Sequence, residues 1–159
     1  MNHLLILILG FIWIRLNWTD LGNDLGGTPL AALKPKSSCP FYGGRPTNGK
    51  MWSEWLIEIL QNHSNVKNYA VSGATVDKTL WHSADKSFDM AMEIDRFLCQ
   101  KNQFDPSSSM VTLFFGNNDF IASNIESNQL SSLIPSSQKF LNQTKRLIDS
   151  GFTNFLILS

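Results

Sequence analysis

The sequence predicts an α/β protein, a three-layer, doubly wound parallel sheet, on three observations. Strand-like segments fall at residues 66–71, where apolar and polar residues alternate, and at 111–115 and 152–158, which are largely apolar; stretches of helical periodicity separate them; and the first two end in abrupt polar or glycine breaks. The sharpest break takes Val111-Thr112-Leu113-Phe114-Phe115 into Gly116-Asn117-Asn118-Asp119. Such a run suits a strand covered on both faces, and ligands of open parallel sheets gather at the carboxyl ends of such strands. Gly116 permits a tight turn there, and two carboxamides follow at once.

At 159 residues the chain is long enough for one domain with a substantial core. Lys plus Arg and Asp plus Glu are equal at 13 each, so no basic field exists to hold phosphate backbones, and nucleic acid is excluded as a partner. Five Trp and eleven Phe at helix or strand spacing read as core rather than as a stacking platform.

From the N-terminus, residues 4–14 are apolar, the length of a signal-peptide core and too short for a stable membrane span. Two readings stay open. One sets residues 1–18 apart as a leader or misassigned start before a domain over 19–159; the other places the first sheet strand at residues 4–9. Only His3 and the amino terminus offer a basic start, and Arg15-Leu16-Asn17-Trp18 is a poor cleavage site. Residues 22–48, rich in Gly, Pro, Ser and Lys, read as a long surface loop of the kind that is usually functional.

Thr47 or Asn48 caps a helix to about Gln61, with Trp52, Trp55, Leu56, Ile59 and Leu60 as its core face. The strand at 66–71 then turns at Ser72-Gly73. A helix over 84–100 follows, with Phe88, Ala91, Met92, Ile94 and Leu98 inward and Lys86, Asp89, Glu93 and Arg96 as a solvated face. After the Asn118 strand, residues 123–137 read as a loop or lid-like excursion. Ser136 or Ser137 then starts a helix through Phe140, Leu141, Thr144, Leu147 and Ile148, stopped by Gly151 as a left-handed cap before the last strand.

Read in order, Thr19-Asp20-Leu21-Gly22-Asn23, Gly44-Arg45-Pro46-Thr47-Asn48-Gly49, Asn68-Tyr69-Ala70-Val71-Ser72-Gly73-Ala74 and Gly116-Asn117-Asn118-Asp119 resemble the GDSL, or SGNH, family of ester hydrolases over residues 19–159. Agreement of ordered blocks is far more specific than any one of them. The resemblance implies an oxyanion hole in which Gly73 gives a backbone amide and Asn118 a side-chain donor. It also implies a substrate that is a small-molecule, polysaccharide or lipid ester, and a secreted protein. Three Asn-x-Ser/Thr sequons, at Asn17, Asn62 and Asn142, fit a glycosylated secretory product.

The departures are equally specific. Asn17 occupies the place of the nucleophilic serine, so the Gly-Asp-Ser-Leu block is absent, and no Asp-x-x-His block supplies the catalytic His and Asp. Loss of both predicts an incomplete, inactive fragment of a hydrolase acting on carboxylic ester bonds. The alternative is a non-catalytic pseudoenzyme that binds an acylated sugar or lipid.

Other chemistry finds no support. Ser72 is not in a Gly-x-Ser-x-Gly elbow and reads as a turn serine. His3, His63 and His82 have no carboxylate at a diagnostic spacing, and Asp20, Asp24 and Asp119 read as turn or capping residues. No metal and no cofactor is expected, since no cluster has ligand spacing and residues 22–27 lack the context of a dinucleotide loop. Cys39 and Cys99 are far apart, and pairing or two buried thiols are both open.

Overall fold

The computed structural model describes residues 5–9, 50, 52–59, 66–71, 73–82, 88–100, 104–126 and 130–158. Four strands, β1 (Leu5–Leu9), β2 (Val66–Asn68), β3 (Ser109–Phe114) and β4 (Asn154–Leu158), pair in the order β2-β1-β3-β4, all parallel. Helices α1 (Trp52–Ile59), α2 (Met90–Leu98), α3 (Asn117–Ile125) and α4 (Leu133–Asp149) lie between them in the chain. The chain runs from β1 out to β2 and returns to β3 on the other side of β1. Strand order therefore reverses at β1/β3, where a parallel sheet opens a crevice at its carboxyl edge.

β1 lies inside residues 1–18, the segment also read as a leader, and is hydrogen-bonded on both sides, Leu7 opposite Lys67 of β2 and Val111 of β3. Its unbroken Leu/Ile composition is what an interior parallel strand needs.

β3 organises the core. Val111 and Leu113, with Phe115 just beyond, pack against Met90, Ile94 and Phe97 of α2, Leu147 of α4 and Phe152. Phe97 is the hub, with ring centroids 5.8 Å from Tyr69, 5.7 Å from Phe104 and 5.1 Å from Phe152. Phe114 alternates to the other face and meets the Trp52 ring of α1 edge-on at 6.5 Å.

The expected core face of α1 is corrected. Trp55 is 53% and Ile59 74% exposed, and Ser53 is buried instead. Apolar residues sit on more than one side of this helix, so periodicity alone does not select its inner face. Trp55 lies beneath the Lys50 ammonium, 5.0 Å from its ring centroid.

The inner face of α2 is also rotated from the expected one. Met90, Glu93, Ile94 and Phe97 are buried, which is one helical stripe, and neither Glu93 nor Asp89 belongs to a solvated face. Asp89 caps the helix, accepting the Met92 N–H at 3.0 Å. Glu93 occupies a core position because the Val71 N–H gives its carboxylate a partner at 3.0 Å.

The loop expected over 123–137 is instead largely helical. α3 begins directly after β3 because Gly116 takes φ +106, reversing the chain without a linker, and Asp119 in its first turn complements the helix N-terminus. A 3-10 turn at Leu130–Ser132 leads into α4, which starts earlier than the serines suggest. Pro135 falls in its first turn, where a missing N–H costs nothing.

α4 buries Ser136, Gln143, Thr144 and Leu147, whereas Leu141 and Ile148 are 60% and 52% exposed. The helix ends as the sequence predicts, in a Schellman motif. Gly151, at φ +98, donates to Ile148 C=O at 2.9 Å, and Phe152 donates to Leu147 C=O at 3.2 Å. Cys99 caps α2, exposed and with a free thiol, contrary to a buried one.

Candidate functional site

The segment after β2 carries the first site residue. Ala74 N–H closes a turn onto Val71 C=O at 3.2 Å, with Gly73 at φ +80, a positive value that glycine adopts without strain. Ala70, Val71, Gly73, Ala74, Thr75 and Val76 are all buried, so this segment crosses the carboxyl edge of the sheet as interior chain. It runs on beside the start of α2, where Met90 N–H donates to Thr75 C=O at 3.0 Å.

The second site residue comes from β3. Gly116 turns the chain into α3, and Asn118 in the first turn is buried, its Nδ2 donating to Ala74 C=O at 2.7 Å. Gly73 and Asn118 are therefore brought to the same place by segments forty-odd residues apart, on the crevice side of the strand reversal. A carboxamide nitrogen carries two hydrogens, and the Ala74 bond uses one while fixing the plane of the group. Asn17, residues 19–23, Ser72, His3, His63 and Cys39 lie outside the described residues.

Asp119 is the residue that the sequence reading missed. Its bonds reach well beyond the helix start: Oδ2 accepts the Val76 N–H at 2.9 Å, and Oδ1 accepts both Trp81 Nε1–H at 2.8 Å and the Ser136 hydroxyl at 2.7 Å. Burial pushes its carboxyl above the ordinary carboxylate range, against the bonds from Val76, Ser136 and Trp81 that favour the charged form. Nothing at Trp81 or Ser136 marks them as partners in sequence. The only signal is an acid directly after a buried strand, and turns produce that too.

Asp77, nearby and partly exposed, goes the other way. Burial alone would raise it, but the Thr79 hydroxyl and amide and the Lys139 ammonium outweigh that and hold it low. His82 is exposed at the surface next to the buried Trp81. Among the described residues no group of three or more His, Cys, Asp and Glu side chains is placed to hold a metal, and no helix is long and apolar enough to cross a membrane.

Beside the first turn of α3 opens a cavity of about 450 Å³, in the size range of small-molecule sites. Gly116, Asp119 and Phe120 form one wall, Phe140 and Leu141 of α4 another, and Ile157 and Leu158 at the end of β4 a third. A family model described as GDSL-like Lipase/Acylhydrolase matches residues 19–157. A search of curated proteins finds no match to the chain.

Proposed function

Because this chain belongs to the GDSL-like lipase/acylhydrolase family, a family of ester-type hydrolases, we propose that Gly73 and Asn118 are the oxyanion donors of a site for carboxylic esters. The observation that carries this reading is the 2.7 Å bond from Asn118 Nδ2 to Ala74 C=O, which joins the two segments where the donors must converge. Donors of this kind act on charge that develops at the carbonyl oxygen. A glycine amide allows close approach of the reacting carbon, and a carboxamide donates without adding charge. The wider reading is a secreted protein whose substrate is a lipid or an acylated sugar.

Ester hydrolysis also needs a nucleophile and a base. With Asn17 at the serine's place, the residues in this sequence supply donors alone. A carboxamide is a weak nucleophile. The expected behaviour is therefore slow, donor-assisted hydrolysis of an activated ester rather than enzymatic turnover. In a well-studied triad enzyme the donors and binding alone retain roughly 10³–10⁴ over water. Asn17 also favours the second reading, a protein that binds the acylated ligand without cleaving it.

The test measures hydrolysis of a chromogenic acetyl ester by the purified chain, by Asn118→Ala and by Ser72→Ala. The reading expects a small rate above buffer that Asn118→Ala removes and Ser72→Ala does not. Saturable turnover with fluorophosphonate labelling abolished by Ser72→Ala would replace it with a different active site. A rate that Asn118→Ala leaves unchanged would remove Asn118 from the chemistry.

A further inference from the structure

The Gly73 segment is suspended between two buried carboxylates from different helices. Glu93 of α2 holds the Val71 N–H at 3.0 Å, two residues before the glycine, and Asp119 of α3 holds the Val76 N–H at 2.9 Å, three residues after it. Asp119 also takes Trp81 Nε1–H and the Ser136 hydroxyl, so a single carboxylate joins the 76–81 segment, α3 and α4. Its neighbour in the same helical turn is Asn118, whose Nδ2 bonds Ala74 C=O in the strand of chain between the two anchors.

We propose that Asp119 is the positioning residue of this site: it sets where the Asn118 carboxamide stands relative to Gly73 by locking the first turn of α3 to residues 76–81 and to Ser136. The inference rests on the donor reading above and adds the group that makes the two donors a fixed pair. Two bonds of different kinds then join the same pair of segments, Asn118 to Ala74 C=O and Val76 N–H to Asp119, one donated in each direction. Opposed bonds of this sort resist both sliding and twisting of one segment past the other. Three donors already converge on the Asp119 oxygens, which suits a tether and not a proton carrier.

A carboxamide at this position has one accepting oxygen in place of two. Asp119→Asn must therefore give up either the Val76 side or the Trp81/Ser136 side, and Ser136→Ala removes one donor while leaving the other two. The experiment records amide spectra of the isotopically labelled chain and these variants, following the Asn118 side-chain NH₂ pair, the Gly73 amide and the Trp81 indole N–H. In Asp119→Asn the Asn118 and Gly73 signals are expected to shift together and to exchange with solvent about tenfold faster or more, with smaller displacements of the same signals in Ser136→Ala.

A second arm uses the slow hydrolysis of the chromogenic ester. Asp119→Asn is expected to lower the rate above buffer about tenfold or more, towards the level of Asn118→Ala, while Ser136→Ala lowers it less. A folded Asp119→Asn chain that keeps the parent's rate would overturn the proposal, as would Asn118 and Gly73 signals that stay in place in the folded Ser136→Ala chain while the Trp81 indole moves. A rate indifferent to Asn118→Ala itself refutes the donor reading. The spectra report the tether without turnover, so the two failures are told apart.

Discussion

Replacing Asp119 by alanine tests whether this carboxylate holds the site region together. The substitution leaves the Val76 N–H and Trp81 Nε1–H inside the protein without an acceptor, while the Ser136 hydroxyl is free to rotate. A buried donor stripped of its partner costs about 1–3 kcal/mol, so the two fixed donors together cost about 2–6 kcal/mol. Alanine also relieves the cost of keeping a charge in the interior, which is the cost that raises this carboxyl's pKa. The net loss is therefore about 2–4 kcal/mol near neutral pH, read by urea denaturation of the two chains side by side.

The pH dependence of that loss has a definite sign. A carboxyl whose folded pKa lies above its unfolded one binds its proton more tightly in the folded state. Its contribution to stability is then full below the unfolded value and is lost as pH rises through the folded value. The difference between the parent chain and Asp119→Ala should widen as pH is lowered through that window. Asp77 and Asp105, both held low, have the opposite dependence but are common to the two chains and cancel. A difference that narrows towards acid, or a loss under about 0.5 kcal/mol at neutral pH, would refute the reasoning, because only an acceptor with no buried dependants is so cheaply removed.

Gly151→Ala should lower the thermal midpoint by roughly 2–8 °C, because a left-handed alanine costs about 1–2 kcal/mol. Its added Cβ would meet Pro106 at an ordinary 3.5 Å, so crowding is not the cause, and calorimetry measures the shift. Ile134, Leu141 and Ile148 recur at seven-residue spacing on the exposed side of α4, and Ile157 is exposed on β4, which predicts binding of a hydrophobic dye and self-association. Leu141→Glu together with Ile157→Lys should reduce both while leaving the circular dichroism unchanged; undiminished dye binding would place the sticky surface elsewhere. Cys99, exposed at the end of α2, should react with iodoacetamide in the native chain as fast as in a short peptide, and protection would contradict its position.

What was legible in the sequence follows from how local each cause is. The run 111–115 and its break, the cap at Gly151 and the alternation of strands with helices are set by residues within one turn of each other, and they stand in the structure where the sequence puts them. Gly73 and Asn118 were legible as a pair only through ordered blocks resembling a family, since their meeting point is made by the fold. Glu93 was misread because charge near apolar residues normally means a wet face, and Asp119 because an acid just after a strand normally serves a turn or a cap. Their partners are a backbone N–H at Val71, and at Val76, Trp81 and Ser136, groups that no local pattern links to them. The inner face of α1 failed for a related reason: Trp55 and Ile59 have helical spacing, but spacing does not say which side the sheet lies on.

The placement of β1 at the heart of the sheet has a consequence for synthesis. Leu5 pairs with Ser109 and Leu9 with Leu113, so β1 finds its β3 neighbour only when about a hundred more residues have been translated. At ordinary elongation rates that is a wait of about 5–20 s, during which a bare Leu-Ile-Leu-Ile-Leu stretch is available to any hydrophobic binder in the cell. Pairing with β2 comes sooner but offers only three residues of register, too few to hold the strand. The nascent chain thus carries this stretch of its sheet centre unpaired with β3 until that later strand has been made.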